Sequence, residues 1–408
     1  MSAAPPAVGD DRLWTPSFVA LSLANLCVSF TFYVLVATLA GYAVNAYSAG
    51  QAQAGLVSSI FFIGAMLARL VAGRVLTAYG ARRVVVWSLV ALGLTCVAYL
   101  FPSTMASMLA VRTLHGIAYG FAATALASAV MADVPGARRG EGSGWFTTGM
   151  AVATGAAPFV GMTLARGPGG QQSVFLVTIL ACLVALGAAL GVVRSIPAVV
   201  QAEPGRDGLP AGREPSAGRV LAGLVDRRAL PIGAVVGLCA FPFAAILAFL
   251  ASHAEHSGLQ GPASTYFLVY AAVILVSRPA AGVAQDRLGD VAVVVPVISS
   301  LVLGSVVTAL ATTPLALLCG AALLGLGYGT LTSVGQAIAV AAVGREHIGL
   351  GVSSYFLLVE VGTGLGPVLL GSLVDPLGYA GMFVAAAGFA VLGLLLYLTL
   401  ARPVVRRR

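Results

Sequence analysis

Twelve apolar runs, separated by short polar punctuation, set the pattern of this chain. They fall at about 17–42, 52–76, 83–101, 104–131, 142–165, 173–195, 229–252, 262–284, 291–311, 314–342, 348–373 and 379–401. An α-helix needs roughly 20 apolar residues to cross a bilayer, so each run is expected to be a membrane-spanning helix. Between 196 and 228 the pattern breaks, and Pro, Gly, Arg, Glu and Asp dominate. The expected organisation is an N-terminal tail (1–16), a six-helix bundle (17–195), a polar linker (196–228), a second six-helix bundle (229–401) and a basic tail (402–408). The expected fold class is all-α and polytopic, with twelve transmembrane helices in two pseudo-symmetric bundles.

The halves read as copies of one another. An ungapped shift of 209 places Gly116, Tyr119 and Gly120 on Gly325, Tyr328 and Gly329. The same shift places Arg69 on Arg278, Gly73 on Gly282, Gly80 on Gly289, Gly155 on Gly364 and Pro158 on Pro367. Arg112 has no counterpart, because Ala321 stands at its place. Parallel repeats of this kind are a transporter architecture with the site between the halves.

Composition narrows the class. Apolar residues make up 59% of the 408 and charged residues 9%, against about 25% charged in soluble domains. The fifty glycines suit helices that pack closely in lipid. The +8 charge does not point to nucleic acid, since the arginines lie between the apolar runs. Even-numbered connections carry Arg74, Arg82, Arg83, Arg138, Arg139, Arg287 and Arg345, and the tail adds Arg402, Arg406, Arg407 and Arg408; the odd-numbered ones hold only Arg166. By the positive-inside rule, both termini and the linker are expected in the cytoplasm of a bacterial inner membrane. The cysteines (Cys27, Cys96, Cys182, Cys239, Cys319) fall inside the runs without metal-ligand spacing and read as small buried residues. His253, Glu255 and His256 are expected in a solvated loop.

Several motifs resemble those of the major facilitator superfamily. Gly282-Val283-Ala284-Gln285-Asp286-Arg287-Leu288-Gly289 resembles the family's G-x-x-x-D-R-x-G loop. Gly73 to Gly80 has the same frame, with Thr77 in place of the acid. Arg112 to Gly120 resembles the fourth-span motif of drug:proton antiporters. Gly155-Ala156-Ala157-Pro158 and Gly362-Thr363-Gly364-Leu365-Gly366-Pro367 are similar to the antiporters' glycine–proline signature. Arg138-Arg139-Gly140-Glu141-Gly142 resembles a loop of sugar-efflux-like or metallophore exporters. The resemblance implies a gating latch, in which Asp286 meets the N-terminus of the fifth span beside Arg138, Arg139 and Glu141, and hinges at Pro158 and Pro367.

Two charges are read as lying in span centres. Arg112 is expected to face a central cavity and bind an anionic group or tune a carboxylate. Glu360, some twelve residues into its span, is expected to carry the coupled proton, alone or paired with Arg112; an isolated carboxylate there is desolvated. Polar residues at helical spacing suggest further cavity-lining side chains: Asn25 and Tyr33, His115 and Tyr119, then Tyr328, Thr332 and Gln336, with Phe241 and Phe243 as aromatics about a proline kink at Pro242. No phosphate-cradling loop with Lys-Ser/Thr is present, which argues against ATP-driven transport. The expected activity is export of a small organic molecule, drug-like or metabolite-like, by proton antiport and rocker-switch alternating access. A symporter or importer of the same fold is the alternative, and a membrane sensor a more distant one. No cofactor or metal is expected. The expected partners are the substrate, protons and the bilayer, for a monomer.

Overall fold

A computed structural model describes residues 13–135, 138–196, 226–343 and 348–401. Most of the expected linker, both terminal tails, Arg345 and the side chain of Arg139 lie outside the described residues. Among the described residues, twelve helices are long and apolar enough to cross a membrane. The first half comprises α1 (Pro16–Tyr47), α2 (Gln51–Tyr79), α3 (Ala81–Ala98), α4 (Met105–Asp133), α5 (Arg139–Arg166) and α6 (Gly170–Gly191). The second comprises α7 (Leu230–His256), α8 (Gln260–Leu288), α9 (Asp290–Ala309), α10 (Pro314–Val343), α11 (Ile348–Gly371) and α12 (Val374–Leu396). No strand occurs among the described residues. Large apolar side chains such as Leu94, Leu183, Leu310 and Leu315 are exposed on the outside, as a lipid-facing surface requires.

Local chemistry sets the helix ends. Thr15 caps α1 by accepting from the Phe18 amide at 3.0 Å, and Thr313 does the same for α10 through the Ala316 amide at 3.2 Å, satisfying donors that a helix start leaves open. Gly80 and Gly289 have φ of 81° and 82°, a backbone that glycine adopts without strain, and each turns one helix directly into the next. The helices overrun several expected limits. α7 continues to His256, so the histidine cluster is helical: His253 is buried edge-on to Phe383, and His256 Nδ1 sits 2.8 Å from the Ser252 carbonyl. Only His256 and Glu255 meet solvent. Cys319 is the one exposed cysteine.

The repeat is visible in the packing. α2 lies on α4 where Gly64, Gly116 and Gly120 remove side chains. A Cβ at Gly116 would stand 2.1 Å from the Phe61 carbonyl oxygen, and one at Gly120 2.6 Å from that of Ala65. α8 lies on α10 in the same manner, with Gly325 2.7 Å from the Tyr270 oxygen and Gly329 2.2 Å from Ile274. Phe61 and Tyr270, like Ala65 and Ile274, are again 209 apart. Here the second copy departs from the first, because Gly325–Gly329 forms one π-helical turn inside α10. Such turns widen a helix locally and expose backbone carbonyls.

The halves meet through α2 on α11, α5 on α8 and α1 on α7. One face of the molecule carries the chain's N-terminal end and the ends of the even-numbered connections; we call it the tail face. On the opposite, far face the halves are joined. The Tyr379 hydroxyl donates to Gln51 Oε1 at 3.1 Å, the Arg166 guanidinium donates to the Gln260 carbonyl, and a Cβ on Gly41 would lie 3.4 Å from Ser252 Oγ. On the tail face, α4 and α10 do not form a closely packed pair among the described residues.

Candidate functional site

Helix packing brings two matching sets of side chains to the middle of the interface. From the first half come Arg69 on α2, Tyr119 on α4 and Thr154 on α5; from the second, Arg278 on α8, Tyr328 on α10 and Thr363 on α11. Each pair is separated by 209 residues. The charge of Arg69 reaches the Tyr119 hydroxyl, and that of Arg278 reaches Tyr328. Thr154 and Thr363 each bond back to a carbonyl four residues earlier, Met150 and Val359, both at 2.8 Å. Four residues after each threonine stands a proline within the helix, Pro158 or Pro367. A proline cannot donate to the carbonyl four residues back, so the helix ladder leaves the Thr154 and Thr363 carbonyls free. The two expected hinges therefore flank this central meeting place of the two sets, which we call the chamber.

The charges differ between the sets. Glu360 on α11 forms an ion pair with Arg69 on α2. This bridge joins the two halves, and its side chains are 35% and 19% exposed. The sequence reading paired Glu360 with Arg112 or left it alone; the structure gives it Arg69. α2 runs on to Tyr79, which places Arg69 well inside the helix. Arg278 has no carboxylate partner among the described residues. It donates from Nε to the Gly329 carbonyl at 3.0 Å and from Nη2 to Thr332 Oγ1 at 3.3 Å. The π-turn thus presents a carbonyl that holds the guanidinium in place.

Aromatic side chains wall the site. Phe243 of α7 stacks on Tyr328 at 4.4 Å and on Tyr270 at 5.6 Å between ring centroids. Phe32 packs on Phe61 at 4.8 Å and near Tyr119 at 5.7 Å. Tyr33 is half-buried, beside Thr154 and within reach of the Arg278 charge. Thr332 and Gln336 are also half-buried on α10, and Asn25 is buried on α1.

Three expected residues lie elsewhere. Arg112 is completely buried, between α2 and α4. Its Nε donates to the Val57 carbonyl at 3.0 Å, and its guanidinium carbon lies 4.6 Å from the centre of the Phe61 ring. The close α2–α4 approach at Gly116 and Gly64 seals it off from the chamber. His115 is equally buried, with Nδ1 3.0 Å from the Tyr99 hydroxyl and its ring edge-on to Phe61. Phe241 turns away to stack on Phe389 of α12 at 4.3 Å; two residues along, Phe243 takes the chamber position, because a 200° step along a helix reverses the direction of a side chain.

The expected latch is not engaged in this conformation. Asp286 and Arg287 are exposed, and neither bonds to α5 among the described residues. At the tail-face end of α5, Arg138 and Glu141 pair with each other through Nε–Oε2 at 2.9 Å and Nη2–Oε1 at 3.0 Å. In the first-half copy of the loop, Thr77 Oγ1 donates to the Gly73 carbonyl at 3.0 Å, so it serves its own helix. Gly282 has open space where a Cβ would stand. The open latch accords with the lack of close packing between α4 and α10 among the described residues.

The site residues that sequence reasoning passed over are Arg69, Arg278, Thr154, Thr363 and Tyr270. A signal existed for the arginines: they align under the 209-residue shift and lie within apolar runs.

Comparison with known proteins completes the description. A family model described as Major Facilitator Superfamily matches residues 21–319 and 263–408. The chain is 25% identical over 404 residues to the uncharacterized MFS-type transporter YhhS of Escherichia coli, covering 96% of this chain and 94% of that one. It is 21% identical over 372 residues to the MFS-type transporter MJ1560 of Methanocaldococcus jannaschii, covering 86% and 89%. Among solved structures it is similar to a bacterial homolog of the human lysosomal transporter Spinster in an inward-facing, unoccupied conformation, with TM-score 0.76, 15% identity and 98% and 99% coverage. It is also similar to the nucleoside transporter NupG, with TM-score 0.75, 14% identity and 93% and 98% coverage. At such identities the structural likeness speaks for the fold alone.

Proposed function

The chain belongs to the Major Facilitator Superfamily, and from that premise we propose that it is a proton-coupled secondary transporter of a small organic molecule. The observation that carries this reading is the Arg69–Glu360 pair, which ties one half to the other beside the chamber. Glu360 is the protonatable group. Protonation removes its charge, the bridge to Arg69 weakens, and α2 and α11 are released to rock against each other about Pro158 and Pro367. Charge pairs of this kind bias a two-state element rather than merely stabilise it. The tail face is cytoplasmic in this reading, which the arginine-rich even connections support; the conformation described above is then open inward. The same reading makes the residues near 196–228 a cytoplasmic tether and returns Asp286 to the α5 terminus when the tail face closes. Arg112 and His115 act by positioning α2 on α4.

Direction has two readings. The glycine–proline and fourth-span motifs resemble those of antiporters and favour export against entering protons. The charge arrangement favours symport. Protonating Glu360 leaves Arg69 and Arg278 both uncompensated, so a proton and an anion would bind together. Inverted membrane vesicles with an acidic lumen and a trapped pH dye separate the two, when organic anions, zwitterions and cations are added in turn. An exporting antiporter accumulates its substrate as the lumen alkalinises; a symporter loses preloaded substrate along with the protons. In either case Glu360→Gln should abolish substrate-linked proton movement and preserve substrate counterflow. Full coupling in that variant removes Glu360 from the mechanism.

A further inference from the structure

The duplicated chamber has one position filled on one side and empty on the other. α11 packs on α2 with a Cβ at Gly364 2.9 Å from Phe62 Cβ, and α5 packs on α8 with a Cβ at Gly155 2.4 Å from Ala271 Cβ. Gly155 matches Gly364, and Phe62 matches Ala271, under the 209-residue shift. The two inter-half contacts therefore share one register. One helical turn before Gly364 stands Glu360, paired with Arg69. One turn before Gly155 stands Ala151, a buried residue that the 209-residue shift matches to Glu360, just as it matches Arg278 to Arg69. The carboxylate that the architecture provides for one arginine is missing for the other.

Arg278 is nonetheless built to hold an anion. Its Nε and Nη2 are fixed by the Gly329 carbonyl and Thr332, it is half-buried, and Nη1 has no hydrogen-bond partner among the described residues. Of the three chamber charges, Arg69 and Glu360 cancel, leaving one net positive charge at Arg278. A guanidinium in a desolvated site favours a carboxylate with matching planar geometry. Around it stand Tyr33, Tyr270 and Tyr328 within reach of its charge, with Phe243 stacked on two of them. These rings offer an apolar bed.

We propose that Arg278 is the anion subsite of the transporter and that its ligand is a monocarboxylate with an aromatic or apolar body. The ligand's carboxylate fills, across α5 and α8, the place that Glu360 fills across α2 and α11. An occupied site would then carry two matched inter-half bridges, one permanent and one brought by the cargo. This rests on the transporter reading for its meaning, but the binding itself can be tested without transport.

The test uses purified full-length protein in detergent and three probes of one shape: benzoate, benzamide and benzylamine. Benzoate should raise the unfolding temperature in a saturable way, and the neutral and cationic probes should do so much less. Arg278→Gln should weaken the benzoate response by about tenfold or more, the scale of a charge-assisted hydrogen bond; Arg278→Lys should retain part of it. Ala151→Glu supplies the missing carboxylate in place, and should abolish the benzoate response without lowering the ligand-free unfolding temperature. Should Arg278→Gln fail to fold, Ala151→Glu decides alone. The proposal is overturned if benzoate leaves the wild type unmoved, if benzamide matches benzoate, or if Ala151→Glu binds benzoate like the wild type. Absence of proton-linked flux in vesicles, with benzoate binding intact and sensitive to Ala151→Glu, would sink the transport reading and spare the subsite.

Discussion

The two halves present the same arginine, tyrosine, threonine and proline to the chamber, yet only one arginine is neutralised. Arg69 meets Glu360, while Arg278 has no carboxylate partner among the described residues and bonds to the carbonyl of a π-turn that α4 lacks. Duplication supplies the shape: two bundles, two prolines within helices and two glycine seams. A single acidic residue on one side supplies the difference. A strictly symmetric chamber would hold either two spare cations or two closed bridges. The observed one holds one closed bridge and one open cation.

Changes to the shared scaffold should have the largest effect and should be similar in the two halves. Gly116→Ala forces a methyl group to within 2.1 Å of the Phe61 oxygen, and Gly325→Ala to within 2.7 Å of the Tyr270 oxygen. Each is expected to cost about 1–3 kcal/mol through overpacking, with Gly116 the more sensitive, as measured by thermal unfolding of the purified protein. A loss confined to one half would break the duplication as a packing argument.

Changes to the walls should be smaller and should separate neighbours. Phe243→Ala removes a ring from Tyr328 and Tyr270 and should raise the KM of transport severalfold, in line with about 0.5–1.5 kcal/mol for an aromatic pair. Phe241→Ala, directed at Phe389, should lower the unfolding temperature with KM unchanged. The reverse pattern would mean that the kink at Pro242 turns the other ring inward.

The smallest effect is expected at Arg112, the charge with no copy in the second half. Its two terminal nitrogens lack hydrogen-bond partners, and replacing a buried, poorly compensated charge by a residue of similar shape is often neutral. Arg112→Met should therefore keep stability within about 1 kcal/mol of the wild type, read by thermal unfolding. A collapse of folding would show that the Val57 bond and the Phe61 contact outweigh the desolvation.

How much of this was legible in the chain depends on the distance over which each feature acts. Twelve spans, two halves and the 209-residue repeat follow from apolar run lengths and residue identities, because the bilayer forces each helix to satisfy its own backbone. Gly80 and Gly289, Pro158 and Pro367 also declare themselves, since turn geometry and the missing proline donor are local. The latch residues could be named from their motif, but whether they meet depends on which face of the molecule is open.

What only the tertiary structure decided is which charges face each other. Glu360 and Arg69 lie on different halves, and their meeting follows from the register of α2 on α11, which Gly55 against Pro367 and Gly364 against Phe62 set. Helical periodicity shows which residues share a face but not which neighbour that face meets. Arg112 has the sequence profile of a cavity residue and is buried by the close approach of α4 to α2, whereas Arg69 and Arg278 pass for span-end charges until the helix lengths and the inter-half packing bring them to the chamber.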